Sequence, residues 1–516
     1  MRSVQLRELK RLQLRASLER LEDRCLLASF TGGNLLVERI GNGSGALSSS
    51  AAEVSVLEFA TTGGPAVQSI RFPTSGTDQV TDSGTATSNG YLNVWNDFVG
   101  VPGYNASAGA SSVAGSNTKV ATVLGSDGTV ASRTLFPTSG RMPFTGNNFR
   151  SVIPTSATTF YASGTGDTST GGLWHYGGSA FTQVSSTAAG QLTNMRNVEI
   201  YGNQLYVSSS SSPYLGVSSV GSGLPTSSGQ STNLAINTGT GSSPYGFVMF
   251  DTDANGSLDL AYIADDRNSA GGGLQKWTFN GTAWSRTWSL LVGASSTNLG
   301  TSGVGIRGLS GSFASGVATL YATTNETSNN RLISIADTGT TPTSAALLAS
   351  AGTNRVFRGV DLVPDKTAPQ VTSIDDGDPD DEVTLNDTLT YTITFNEPID
   401  INSVTSASFS NAGSADIVIG TFFASSPSVL RVQVTPTSTG TLRLRIPGTA
   451  VIKDLAGNAL AVPLEDDTTL NVISGSETTP PTVVSIADDD SDNLVKVNQK
   501  VTYTITFSED IDSNTV

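Results

Sequence analysis

Two sets of residues in this chain carry recognisable chemistry. The first is the run Asp251-Thr252-Asp253-Ala254-Asn255-Gly256-Ser257-Leu258-Asp259. A calcium ion takes about six to eight oxygens at about 2.3–2.6 Å from a tightly turning loop. Asp251, Asp253, Asn255 and Asp259 offer side-chain oxygens at alternate and terminal positions, Ser257 offers a carbonyl, and Gly256 permits the turn. Calcium held there is structural: it stiffens one hairpin and implies no catalysis. The plainer alternative is an Asn-Gly turn with polar flanks joining two strands. The second set is Arg150, Arg196, Arg307 and Arg358, each inside a recurring apolar-Arg-small-apolar pattern. Four guanidinium forks at one level suit an anionic ligand such as an acidic sugar, through bidentate contacts. The plainer alternative is that each bonds carbonyls of a neighbouring unit or stacks on an aromatic ring. Strand phase decides between these, and sequence does not fix it.

Other candidates are weaker. Asp265-Asp266-Arg267 offers a carboxylate pair, but three adjacent charges after a strand read as a solvated loop. Trp277, Trp284 and Trp288 suit a sugar platform or, with their alternating spacing, core. His175 and Cys25 are the only residues of their types, far apart in sequence. That excludes a histidine pair, a Cys/His zinc cluster and a disulfide scaffold.

The elements that must position these residues are short strands. The arginine pattern appears as Phe149-Arg150-Ser151-Val152, Met195-Arg196-Asn197-Val198, Ile306-Arg307-Gly308-Leu309 and Phe357-Arg358-Gly359-Val360. Tyr245-Gly246-Phe247-Val248 fits the same slot without the arginine. Successive copies lie 46, 50, 61 and 51 residues apart. Each is followed by a second strand, such as Phe160-Tyr161-Ala162-Ser163 or Leu320-Tyr321-Ala322-Thr323, and then a third. Asn280-Gly281 signals a two-residue hairpin. Four-stranded units of this length, repeated, predict a β-propeller. The last copy has only a first strand, while residues 34–72 supply strands that lack one. Joined, they make one blade and clasp the ring. Six blades result, with seven as the alternative count because the second blade is irregular.

Charge divides the chain. Its net charge is -16, with 28 basic and 44 acidic residues. Residues 1–29 carry seven basic and four acidic residues, and residues 367–516 carry six and 22. An acidic balance argues against a nucleic-acid partner, which needs Lys and Arg to displace counterions. No apolar run of about 18 residues is present, so no helical membrane span is expected.

Three resemblances follow from quoted residues. The loop at 251–259 resembles the D-x-D-x-[DN]-G-x-x-D calcium loops of integrin-type propeller repeats, dockerins and thrombospondin-type repeats. It departs from a full EF-hand because position 12 is Tyr262. Leu21-Glu22-Asp23-Arg24-Cys25-Leu26-Leu27-Ala28, with Asp23 in place of proline, resembles the LEPR-x-LL motif of large bacterial exported and surface proteins. It implies export. Thr367-Ala368-Pro369 and Thr479-Pro480-Pro481 open two copies of an acidic repeat 112 residues apart, with Tyr391-Thr392-Ile393-Thr394-Phe395 matching Tyr503-Thr504-Ile505-Thr506-Phe507. The stretch from Thr394 to Asp400, with Asp454-Leu455-Ala456-Gly457-Asn458, resembles bacterial Ig-like repeats of surface-layer proteins and adhesins.

The expected architecture is all-β: an export-related segment over 1–29, a propeller over 30–366, an Ig-like sandwich over 367–478 and a partial second one over 479–516. The second copy is expected to be cut short at Val516, with further repeats following it. Each copy carries an acidic loop, at 375–382 and 488–492, read as solvated or as calcium held at a module junction. The expected role is an extracellular or cell-surface binding or structural protein, with a glycan or surface protein as partner. The alternative is a secreted lyase or glycosidase acting on polysaccharide.

Overall fold

The computed structural model describes residues 28–116, 118–140, 142–185, 188, 190–379, 381–475, 480–490 and 494–511. The segment Leu21–Leu27, Asp380 and Asp492 lie outside these residues, so the export motif and parts of both acidic loops do too. The described chain is strands and turns, with three short 3-10 turns. Two compact units divide between Asp365 and Lys366.

The first unit is a six-bladed propeller built from antiparallel sheets. Blade 1 joins Val356–Leu362 to Leu35–Ile40, then Ala51–Phe59, then Gln68–Arg71. The closing strand therefore comes from one end of the unit and its three partners from the other. Blade 2 runs Tyr91–Trp95, Phe98–Tyr104, Lys119–Gly125 and Val130–Leu135. Blade 3 runs Phe149–Pro154, Phe160–Gly164, Leu173–Tyr176 and Phe181–Gln183. Blade 4 runs Met195–Tyr201, Gln204–Ser209, Gly216–Val220 and Thr232–Asn237. Blade 5 runs Pro244–Phe250, Leu260–Asp265, Gly273–Phe279 and Trp284–Val292. Blade 6 runs Ile306–Ala314, Val317–Thr324, Arg331–Asp337 and Ala346–Ser350. The six innermost strands pack each against the next, and that of blade 6 against that of blade 1. The short strand Thr81–Ser83 bridges blades 1 and 2.

Alternation puts successive side chains on opposite faces of a blade, so each blade needs apolar residues on both. Leu36 and Ile40 pack with Val54, Val99 and Val120 toward blade 2, while Leu35 and Val37 pack with Leu332 and Leu348 toward blade 6. Trp277 packs with Val217, Ile236 and Phe247 between blades 4 and 5, as core. The hairpin near Asn280 differs from expectation. The Asn280 amide bonds the Ala283 carbonyl, so Gly281 and Thr282 form the tip. Gly281 has φ +89°, which a side chain resists and which gives the turn its handedness.

The recurring arginine pattern marks a β-bulge. Strand registers shift between Met195 and Val198, between Ile306 and Leu309, and at the equivalent places in blades 1, 3 and 5. A bulge puts one extra residue into one strand and re-aims its side chain. The register also corrects the sequence alignment of blade 5. Pro244 pairs with Asp265 as Met195 does with Ser209, so Tyr245, not Gly246, takes the arginine's place. The small residue of the pattern lies where the next inner strand passes closest. A Cβ on Gly308 would run into the Arg358 carbonyl, and one on Gly359 would sit 2.8 Å from the Gly90 carbonyl.

The second unit contains the Ig-like domain. One sheet orders Val371–Asp375, Leu389–Phe395, Val429–Pro436 and Ile417–Ser426. A second joins Glu382–Thr384, Leu470–Ile473 and Gly440–Leu442. Tyr391, Ile393 and Phe395 are buried in one core with Leu430, Val432, Leu444 and Leu470. In the second copy, Val483–Asp488 and Tyr503–Phe507 form a hairpin.

Candidate ligand and cation sites

The bulges aim the arginines at the heads of the inner strands. Arg150 donates from Nη1 to the Asn194 side chain at 2.5 Å and to the Met195 carbonyl at 2.9 Å, both in the connection into blade 4. The Arg196 guanidinium lies 3.8 Å above the Tyr245 ring and bonds Ser210 Oγ at 3.1 and 3.2 Å. Arg307 bonds the Asn325 carbonyl and pairs with Asp266 at 3.4 Å, and it too lies over Tyr245, at 5.9 Å. Tyr245 in turn meets Tyr91 of the opposite blade, ring centroids 6.1 Å apart. Arg150, Arg196 and Arg307 thus gather around a tyrosine pair that spans the ring. Arg358 is 2% exposed, turned to the boundary between blades 1 and 2, and bonds the Gly84 carbonyl.

Each guanidinium is engaged by protein groups, yet donors remain. Arg150 Nε, Arg196 Nη1 and Arg358 Nε are buried without a hydrogen-bond partner, as is the Tyr91 hydroxyl. Burial, and then Arg196, lower the Arg150 pKa to about 10. Burial, and then Arg307, do the same for Arg358. Like charges held together in a poorly solvated place favour an anion among them. The two tyrosines are themselves buried, with their ring planes 47° apart, and the Arg196 guanidinium already covers Tyr245.

Asp265 corrects a reading made from sequence. It is fully buried, not solvated. Its carboxylate accepts from Arg267 Nε and Nη2, the Arg267 and Ser243 amides, and Gln275 Nε2. Asn268 and Asn325 then stitch blade 5 to blade 6. The three charges form a bracket, with Asp266 left to pair Arg307. His175 is half-buried against Tyr161, ring centroids 4.9 Å apart, and burial lowers its pKa.

The loop between the first two strands of blade 5 brings three of its five predicted ligands together. Asp251, Asp253 and Asp259 each place a carboxylate oxygen within 4.8 Å of the others. Asp251 accepts from the Asn255 and Gly256 amides. Asp259 accepts from Thr252, closing the loop across its base. Asn255 spends its Oδ1 on the Ser257 amide and its Nδ2 on Asp253. Ala254 and Gly256 have φ +57° and +87°, which fold the backbone back on itself. Three hard carboxylate oxygens on a tight turn are the donor set calcium takes. A cavity of about 500 Å³ adjoins the loop, with Tyr201, Tyr206, Phe250 and Phe313 in its lining. Neither its aromatic wall nor the Glu38–Asp82 cluster described below was visible in sequence, because each draws on strands far apart in the chain.

With this geometry in place, comparison with known proteins adds one family. Residues 365–469 match the bacterial Ig-like domain. That agrees with the core around Tyr391, Ile393 and Phe395. No curated protein matches the chain. Among solved structures, a periplasmic gluconolactonase of Pseudomonas aeruginosa is 12% identical, with TM-score 0.34, over 85% of this chain and 96% of that one. A functionally unknown protein from Desulfotomaculum acetoxidans is 11% identical, with TM-score 0.31, over 64% and 90%. AztD of Citrobacter koseri is 11% identical, with TM-score 0.22, over 87% and 100%. The propeller assignment rests on the strand pairing above. Among the described residues no helix is long and apolar enough to cross a membrane.

Proposed function

We propose that this chain is a bacterial extracellular or cell-surface binding protein whose propeller takes an anionic glycan at the heads of its inner strands. The observation that carries this reading is the gathering of Arg150, Arg196 and Arg307 around Tyr245 and Tyr91, with buried donors to spare. Carboxylates or sulfates of an acidic sugar accept from guanidinium forks, which the tyrosines hold in place from beneath. Arg358 adds charge from behind without touching the ligand. The match to the bacterial Ig-like domain supports a surface setting. In this reading calcium binds at Asp251, Asp253 and Asp259, with Asn255 and the Ser257 carbonyl completing its shell. It stiffens the turn between two strands and takes no part in chemistry.

A glycan array probed with the whole chain tests the reading. Selective capture of uronic or sulfated glycans is expected, falling at least tenfold in Arg196→Gln. Capture that ignores glycan charge, or depolymerisation of the bound polysaccharide, overturns it.

A further inference from the structure

A second polar site lies between blades 1 and 2, away from the arginine and calcium-loop residues except for Arg358. Glu38 comes from the second strand of blade 1 and is fully buried. Neither of its carboxylate oxygens has a hydrogen-bond partner. Asp82 comes from the bridging strand Thr81–Ser83. Its Oδ1 accepts from the Ser83 amide at 2.6 Å and from Asn89 Nδ2 at 2.8 Å, while its Oδ2 is buried and unpartnered. Asn89 is fully buried too, with Oδ1 unpartnered. These groups converge. A Cβ on Gly90 would lie 2.8 Å from Glu38 Oε1 and 2.9 Å from the Arg358 Cβ. Arg358 Nη2 donates to the Gly84 carbonyl at 3.1 Å, and among the described residues no ion pair of 4.0 Å or less joins Arg358 to either carboxylate.

Four buried acceptor oxygens without donors need an explanation. A hard cation binds several oxygens at once, where a water supplies two donors. Charge selects its valence. Two carboxylates and one guanidinium leave a single net negative charge. A monovalent ion cancels it, whereas a divalent ion leaves a positive charge in a low-dielectric interior, which is costly.

We propose that a sodium or potassium ion sits between Glu38, Asp82 and Asn89 and fastens the ring at its closure. The ion links the blade that joins the two ends of the unit to the segment leading into blade 2. The strand that holds Glu38 pairs directly with the closing strand Val356–Leu362. The competing state is a pair of buried carboxyls held protonated. Burial raises Glu38 well above the ordinary carboxylate range and Asp82 to about 7.

The test is thermal unfolding of the whole chain at pH 8. Sodium, potassium and choline chloride are compared at one ionic strength, with calcium saturating so that the loop at 251–259 contributes equally. The melting temperature should be higher in sodium or potassium than in choline by about 2–4 °C or more. The difference should vanish in Glu38→Gln and in Asp82→Asn. Thallium(I) soaked into crystals of the wild-type chain should give an anomalous peak between Glu38 and Asp82, a readout that needs no variant to fold. Equal melting in all three salts, with no thallium peak, overturns the proposal. So does Glu38→Gln raising the melting temperature equally in all three, the result expected of protonated carboxyls. Neither result bears on glycan capture, so the two proposals fail separately.

Discussion

Asp361 shows how one side chain joins three blades. Its Oδ2 accepts from the Val94 amide of blade 2 at 2.7 Å. Its Oδ1 accepts from Ser310 Oγ of blade 6 at 2.7 Å and from the Leu362 amide of its own strand. Burial nevertheless raises its pKa to about 6. A carboxyl whose folded pKa exceeds its unfolded value of about 3.9 favours the fold most when both states are protonated. Its contribution is therefore full below about pH 4 and is lost as the pH rises through about 6, on the order of 3 kcal/mol across that window. Urea unfolding between pH 4 and 7 should show this fall, and Asp361→Asn should make it shallower. At pH 4 the variant should cost little, because the protonated wild-type carboxyl already presents a donor there, as an amide does. At the 251–259 loop, calcium should raise the melting temperature of the wild-type chain, and Asp253→Asn should abolish that rise. An unchanged calcium response in the variant would remove that site. The loop residues were legible in sequence because all lie within nine positions. Asp265 was not, because its donors come from Ser243, Arg267 and Gln275, and only packing of separate strands shows that they surround it.

At the scale of the element, the apolar-Arg-small-apolar pattern is a bulged inner strand. Its period was visible, and its arginines were found. The bulge was not, because sequence counts residues and pairing decides which one is extra. Blade 5 shows the consequence: matching apolar positions put Gly246 in the arginine slot, while the backbone register puts Tyr245 there. The small residue has its own demand. At Gly308 a Cβ would meet the Arg358 carbonyl and, at 2.6 Å, Thr323 Oγ1, which itself donates to that carbonyl. Backbone and a committed hydroxyl cannot retreat. Gly308→Val should destabilise the propeller by about 1–3 kcal/mol or more, through overpacking between blades 6 and 1. Denaturant midpoints would measure it. A change at exposed Gly45, which lacks a positive φ and where a Cβ meets nothing within 4 Å, is the control for lost glycine freedom alone.

For the whole propeller, closure is the governing feature. The strand Val356–Leu362 pairs with Leu35–Ile40 across more than 300 residues of chain. Loop closure over that separation is entropically expensive and is recovered only when all six blades are in place. Deleting residues 356–362 should therefore abolish cooperative unfolding of the propeller, read by near-ultraviolet circular dichroism, and leave the Ig-like domain folded. A deletion that kept a cooperative transition would show that five blades and an open sixth suffice.

The sequence by itself determined the class of structure, the blade period, the complementary ends, the acidic turn at 251–259 and the Ig-like repeat with its alternating Tyr391, Ile393 and Phe395. These are local or periodic signals, and strand alternation and turn chemistry write them directly into residue order. Only the tertiary structure decided where the four arginines go. It gathered Arg150, Arg196 and Arg307 around two tyrosines and turned Arg358 toward Glu38 and Asp82. Burial is a property of what packs against a side chain, and in a ring of blades that neighbour comes from a different part of the chain.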